Sequence, residues 1–245
     1  MQVAEYLHND DFLRFELPSP ESELMPGVKW GRHEALFSPA YWKTQTEIHG
    51  SSCTREGYRL GRTLIEETAA CLLGGHGLPA EIGLAAFRRL QDVGILEDDS
   101  ADEADYASLL SAPLQMSGGR SAKYRFAKTK AKYLASVHAA FRASVAPSDD
   151  VQLRRWLLDI DGIGPKTASW VVRNWLSSDN VAILDIHIYR AGLFAGIFDD
   201  RQSVDRHYFE MEERFLEFAR ALEVSAAMLD AVMWVQMRSA TRTVC

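Results

Sequence analysis

The chain is poor in cysteine. Only Cys53, Cys71 and Cys245 occur, far apart, and no Cys-x-x-Cys pair exists. That spacing excludes a zinc ribbon and a four-cysteine iron–sulfur cluster. Cys53 and Cys71 are expected to be buried inert thiols, and Cys245 to be exposed. Long apolar runs are missing too: none approaches the roughly 18–20 residues of a membrane span. The opening MQVAEYLHNDDFLRF lacks the basic-then-apolar pattern of a signal peptide, so a cytoplasmic protein with no membrane partner is expected. An excess of positive charge is also absent. The net charge is −7, which argues against a general polyanion binder. Persistent β-alternation, internal repeats and low-complexity segments are absent as well.

What is present is an ordinary globular composition, 47% hydrophobic and 25% charged. At 245 residues there is room for one large domain or two small ones with a sizeable core. Charge is unevenly spread. Residues 97–105 hold six acids, and residues 120–132 hold six bases and no acid. Each run reads equally as a solvated surface or as a binding patch. A local basic patch can hold phosphate on an acidic protein, because charges more than about 10 Å away are screened.

The periodicity is helical almost throughout, and the expected fold class is all-α with nine or ten helices. Residues 1–50, rich in proline and aromatics, read as loops and short helices. Helices are expected over Arg59–Leu73, from Pro79 to about Leu90, over Ala104–Leu110, Tyr124–Val145, Gln152–Leu158, Asp205–Leu222 and Ser225–Ser239. Asp149 or Asp150 is expected to cap the helix at 152, and Ser225 the last one.

Residues 151–192 are the most informative. Asp161-Gly162-Ile163-Gly164 stands between two helical segments. Glycine permits positive φ and close approach of another backbone. Successive amides in such a turn, ahead of a helix N-terminus, form an anion site. The other reading of the tetrad is a tight turn between helices with no ligand. Pro165 suits the first helical position. Lys166 follows at once, and Asp185 stands further on, before a helix expected over Ile186–Phe194, where it is a good N-cap. By themselves Lys166 reads as a surface lysine and Asp185 as a cap.

The line Leu158-x-x-Asp161-Gly162-Ile163-Gly164-x-Lys166-Thr167-Ala168, followed by Leu184-Asp185-x-His187-Ile188-x-Arg190, resembles the helix–hairpin–helix DNA glycosylase superfamily. The resemblance is strong over about residues 120–195. It implies that the amides of Gly162, Ile163 and Gly164 hold a DNA phosphate, with a monovalent cation at the hairpin and no other cofactor or metal. It places Lys166 at the catalytic lysine of the bifunctional members and Asp185 at the superfamily's aspartate. Burial and the helix N-terminus are expected to supply the neutral amine that the chemistry needs.

Without the cysteine quartet of the iron–sulfur members, the chain resembles the 8-oxoguanine DNA glycosylase/AP lyases. The segment Leu229-Asp230-Ala231-Val232-Met233-Trp234 is similar to the last helix of the archaeal ones. There such an Asp bonds the base and the Trp stacks on it. The other reading is an amphipathic helix with Trp234 in the core. Gln236 is expected to point elsewhere. Phe37–Gln45 is similar to their opening segment, with Gln45 reading a base edge and Trp42 stacking, or with both in a plain surface-capping segment. Arg173, Arg190, Lys123 and Arg125 are the expected phosphate contacts, within a stripe that includes Arg120, Lys128, Lys130 and Lys132. His187 is expected to pack under its helix.

The resemblance thus implies a two-lobed helical enzyme. The catalytic lobe spans 56–204, and residues 1–55 with 205–245 form a second lobe completing the base pocket. Its partner is double-stranded DNA with a damaged or modified base, and a nucleoid-associated monomer is expected. The alternatives are a glycosylase for another modified base, such as one in phage DNA, and a non-catalytic DNA-binding protein.

Overall fold

The computed structural model describes residues 1–49, 58–75 and 77–243. Cys53 and Cys245 lie outside them. The chain divides into two compact units, one of residues 1–57 with 177–245, the other of residues 58–176. The boundary therefore follows Leu176, not residue 204. Residues 177–204 pack with the N- and C-terminal segments.

Ten α-helices occur among the described residues, as the periodicity predicts. The N-terminus departs from the expected loops and short helices. Strands β1 (Gln2–His8) and β2 (Asp11–Leu17) form an antiparallel hairpin in full register, Gln2 opposite Leu17 and His8 opposite Asp11. The turn residues Asn9 and Asp10 both have positive φ, 49° and 67°. Two such residues twist the backbone in the sense that the flanking strands need. A small hairpin, β3 (Glu23–Met25) with β4 (Val28–Lys29), precedes α1 (Pro39–His49).

The 58–176 unit holds α2 (Leu64–Leu73), α3 (Ala80–Val93) and α4 (Glu103–Ser111). A short hairpin follows, β5 (Leu114–Gln115) with β6 (Ser121–Ala122). Then come α5 (Ala127–Ala143), α6 (Asp150–Leu158) and α7 (Pro165–Leu176). Asp149 is the cap of α6, accepting from the Gln152 amide. Glu67, buried on α2, joins the unit together. Its carboxylate accepts from the amides of Leu60 and Gly61 at 2.7 Å and from Asn174 of α7 at 2.7 Å. A buried carboxylate with three donors is satisfied, and it fixes α7 against α2. Cys71 is buried beside it. Burial, then the Glu67 charge, push its thiol well up, which makes it the inert thiol expected.

In the other unit, α8 (Ile186–Ala195), α9 (Val204–Ala221) and α10 (Ala226–Thr243) follow the extended residues 181–184. Trp42, Leu184, Met211, Phe215, Phe218, Leu229 and Met233 share its core. Two α9 side chains hold the extended segment. Glu212 accepts from the Ala182 amide at 2.9 Å, and the Tyr208 hydroxyl donates to the Ala182 carbonyl at 2.7 Å. The start of α10 is capped from afar: Asp179 accepts from the Ala227 amide at 3.0 Å and from the Ser225 hydroxyl at 2.7 Å. Ser225 Oγ itself stands 3.4 Å from the Met228 amide. No helix among the described residues is long and apolar enough to cross a membrane.

Candidate functional site

The glycine hairpin joins α6 to α7, as expected. Its shape has a cause in the helix beneath it. Gly162 has φ +89°, and a Cβ there would stand 2.1 Å from Cγ of Tyr133 on α5. Any side chain is thus both strained and blocked. Ile163 faces inward and is buried, its amide bonded to the Ile160 carbonyl at 3.1 Å. Gly164 is different: nothing lies within 4 Å of a Cβ placed on it. Gly162 and Gly164 are exposed ahead of the N-terminus of α7, an arrangement suited to an anion.

Lys166 lies in the first turn of α7, half-buried. Its ammonium takes no hydrogen bond or ion pair among the described residues. Nζ rests over the glycine turn after α2, 3.5 Å from where a Gly75 Cβ would be, and 5.9 Å from the Trp170 ring centroid. Trp170 in turn packs on Gly74, where a Cβ would meet the ring at 3.0 Å. Gly74 and Gly75 therefore leave room for the indole and the amine.

The basic stripe is split by burial. Lys123, Arg125 and Lys128 are exposed and line a shallow cleft at the start of α5. Lys132 is exposed too, 4.0 Å from Asp161. Lys130 does not belong to that surface, being only 6% exposed. Arg173 also departs from the expectation of a phosphate contact. It is 8% exposed, and its guanidinium lies 4.4 Å from the Tyr58 ring centroid. It braces α7 from inside.

In the 1–57/177–245 unit, Asp185 is the N-cap of α8. Its Oδ1 accepts from the His187 amide at 2.8 Å and the Ile188 amide at 3.0 Å. Its Oδ2 takes no hydrogen bond among the described residues. The carboxylate is thereby held rigid by a helix N-terminus, with one oxygen left over. Arg190 on the same helix is exposed. The His187 ring packs edge-on to Trp234, centroids 6.2 Å apart.

Along α10, Asp230 is buried and Trp234 half-buried, with Arg238 4.9 Å over the indole. Gln236 points elsewhere, as expected, toward α1 and away from the His187 side that Trp234 takes. Its Nε2 donates to Gln45 at 2.7 Å, and its Oε1 accepts from the Tyr41 hydroxyl at 2.6 Å. Gln45 is thus held by a neighbour on another helix. Trp42 is corrected. It is 0% exposed and stacks on Phe37, centroids 5.5 Å apart, so its face is already covered. Tyr41 was missed, since its contact with Gln236 runs between helices. Among the described residues, no group of three or more His, Cys, Asp or Glu could hold a metal ion.

A family model described as 8-oxoguanine DNA glycosylase matches residues 60–224. The 8-oxoguanine DNA glycosylase/AP lyase of Metallosphaera sedula is 36% identical over 121 residues, which is 47% of this chain and 59% of that protein. The enzyme of the same name from Saccharolobus solfataricus is 34% identical over 126 residues, 47% of this chain and 60% of that protein. The chain thus spans about three fifths of the length of these curated relatives. A crystal structure of the Methanocaldococcus jannaschii 8-oxoguanine DNA glycosylase superposes with a TM-score of 0.60 at 20% identity, covering 83% of this chain and 96% of that one. The same organism's glycosylase/lyase bound to a 15mer DNA containing 8-oxoguanine gives 0.54 at 21%, covering 80% and 87%. At these identities the likeness is one of fold.

Proposed function

Because the chain belongs to the 8-oxoguanine DNA glycosylase family, we propose that it is a bifunctional DNA N-glycosylase and AP lyase, with 8-oxoguanine in double-stranded DNA as its substrate. The observation that carries this reading is Lys166. A half-buried amine with no carboxylate partner among the described residues stands directly after the glycine hairpin. A binding module needs no such amine.

The Gly162 and Gly164 amides, but not that of Ile163, which already bonds the Ile160 carbonyl, take a phosphate and fix the register of the duplex without reading sequence. Lys123, Arg125 and Arg190 add backbone contacts. The exposed turn also offers oxygen donors of the kind a monovalent cation takes, and the proposal includes one held there. The damaged nucleotide leaves the stack, and α10 supplies its pocket, with Asp230 as acceptor and Trp234 as stacking face. 8-Oxoguanine carries a hydrogen at N7, where guanine has only an acceptor. A carboxylate distinguishes the two.

The Lys166 nitrogen forms a bond to C1′ as the C1′–base bond breaks, and the base leaves with the bonding pair and takes a proton. Positive charge on the sugar is met by Asp185, whose free oxygen is already oriented by its cap bonds. Ring opening gives an iminium. Loss of a C2′ proton then expels the 3′ phosphate, and hydrolysis returns the amine.

A panel of duplexes tests the reading: 8-oxoguanine, another oxidised purine, an oxidised pyrimidine and undamaged DNA. The expected result is strand nicking without alkali, fastest with 8-oxoguanine, and none with Lys166→Gln. Preferential nicking at a different modified base would move the substrate and leave the chemistry. Binding without nicking on any duplex would refute the enzyme assignment.

A further inference from the structure

Among the described residues no hydrogen bond or ion pair holds the Lys166 amine, yet Nζ has two neighbours. One is the bare turn after α2, where a Cβ on Gly75 would stand 3.5 Å from it. The other is the indole of Trp170, its centroid 5.9 Å away. Lys166 and Trp170 stand four residues apart on α7. Side chains at that spacing share a face, the later one leaning back over the earlier turn. The indole is itself located by Gly74: a Cβ there would stand 3.0 Å from Cη2 and 3.3 Å from Cζ3 of the ring. Gly74 has φ −86°, a value open to any residue. That glycine is therefore required by the ring and not by the turn.

We propose that Trp170 is a positioning residue for the nucleophile: its ring, seated on Gly74, is the surface on which the Lys166 amine rests over Gly75, so that Nζ waits in one place for C1′. This rests on Lys166 being the nucleophile. A lysine amine ends a flexible four-carbon stem, and a reacting atom misplaced by about 1 Å can lose on the order of 100-fold in rate. A carboxylate would also fix the amine, but through charged hydrogen bonds that the reaction must break. A π face attracts the amine more weakly and ties up none of its bonds. The amine is thereby held and still free to leave for the sugar.

The test separates rate from binding in the full chain, on a duplex with a preformed abasic site. Trp170→Leu removes the π face and should slow single-turnover nicking by about 10–100-fold while leaving the Kd unchanged. Trp170→Phe keeps a face and should keep most of the rate. Gly74→Ala displaces the indole and should slow nicking about tenfold. Adding Trp170→Phe, whose ring is too short to meet the new methyl, should restore that loss. The contact is also read without activity. With all lysines reductively methylated by isotope-labelled methyl groups, the Lys166 resonance, identified by its loss in Lys166→Gln, should carry a ring-current shift that vanishes in Trp170→Leu. An unslowed Trp170→Leu, a loss in Kd that matches the loss in rate, a Trp170→Phe as slow as Trp170→Leu, or no ring-current shift overturns the proposal. A ring-current shift in a wild type that never nicks abasic DNA overturns instead the assignment of Lys166 as nucleophile, and leaves the contact standing.

Discussion

The ring of Tyr133 fills the space where a side chain on Gly162 would go. A Cβ there would stand 2.1 Å from Cγ of the ring, on a backbone with φ +89°. The glycine turn therefore takes its shape from α5 below it as much as from its own glycines. Gly162→Ala is expected to lower stability by about 1–3 kcal/mol and to weaken binding to an abasic-site duplex. Gly164→Ala has open space at Cβ and should keep its melting temperature. Thermal melts and fluorescence anisotropy on both variants check this. Equal damage from the two would contradict it.

Asp185 combines two duties that can be separated. As N-cap of α8 its side chain accepts from two amides; in the proposed mechanism its carboxylate faces the charge of the reaction. Asp185→Ala should lose about 1 kcal/mol of stability together with base excision. Asp185→Ser keeps a capping oxygen and should regain the stability but not the excision. Denaturant melts beside single-turnover assays decide. Excision restored by serine would leave only the capping duty.

Burial divides the basic residues by duty. Lys123→Ala and Arg125→Ala should each weaken binding on all sequences and reduce the salt dependence of the affinity by about one ion. Arg173→Met should leave that slope alone and act on stability, since the guanidinium is packed on Tyr58. Affinities at several salt concentrations separate the two classes. A smaller slope for Arg173→Met would contradict the assignment.

His138 makes stability depend on pH. It is buried, 2.9 Å from the Tyr106 hydroxyl, and burial, then Arg142, hold its pKa below the ordinary histidine value. Between the folded value and about 6.5 the unfolded chain binds more protons, so the stability present above about 6.5 is lost as the pH falls. The melting temperature should drop on the order of a few degrees between about pH 7 and 5. His138→Gln should flatten that drop. An unchanged slope in the variant would place the titration elsewhere.

Much of this was legible in the sequence, where the cause is local. The hairpin was written in Gly162 and Gly164, and the cap of α8 in Asp185. Ser225 was half right: the α10 start is held mainly by Asp179, far away in sequence. The β1–β2 hairpin had a signal that was passed over. Asn9-Asp10 is a two-residue turn between strands whose inward residues alternate as Ala4, Tyr6 and Leu13, Phe15, Leu17. What was not legible depends on burial between helices. Trp42 and Arg173 read as binding residues because aromatic and basic side chains look alike in sequence whether they face solvent or a neighbour. Lys130 read as one more base in a stripe, although the turn of α5 carries it inward. The unit boundary after Leu176 follows from Glu212 and Tyr208, which bind residues 182–184 to α9.

The central claim is that Lys166 forms a covalent bond to the sugar as the damaged base leaves. Borohydride trapping tests it most directly, on a duplex with one 8-oxoguanine and on a preformed abasic site, with wild type and Lys166→Gln. The account predicts a stable protein–DNA adduct with wild type on both duplexes and with the variant on neither. Mass spectrometry should place the linkage on Lys166. Absence of any adduct with wild type, or an adduct that persists undiminished in Lys166→Gln, would contradict it.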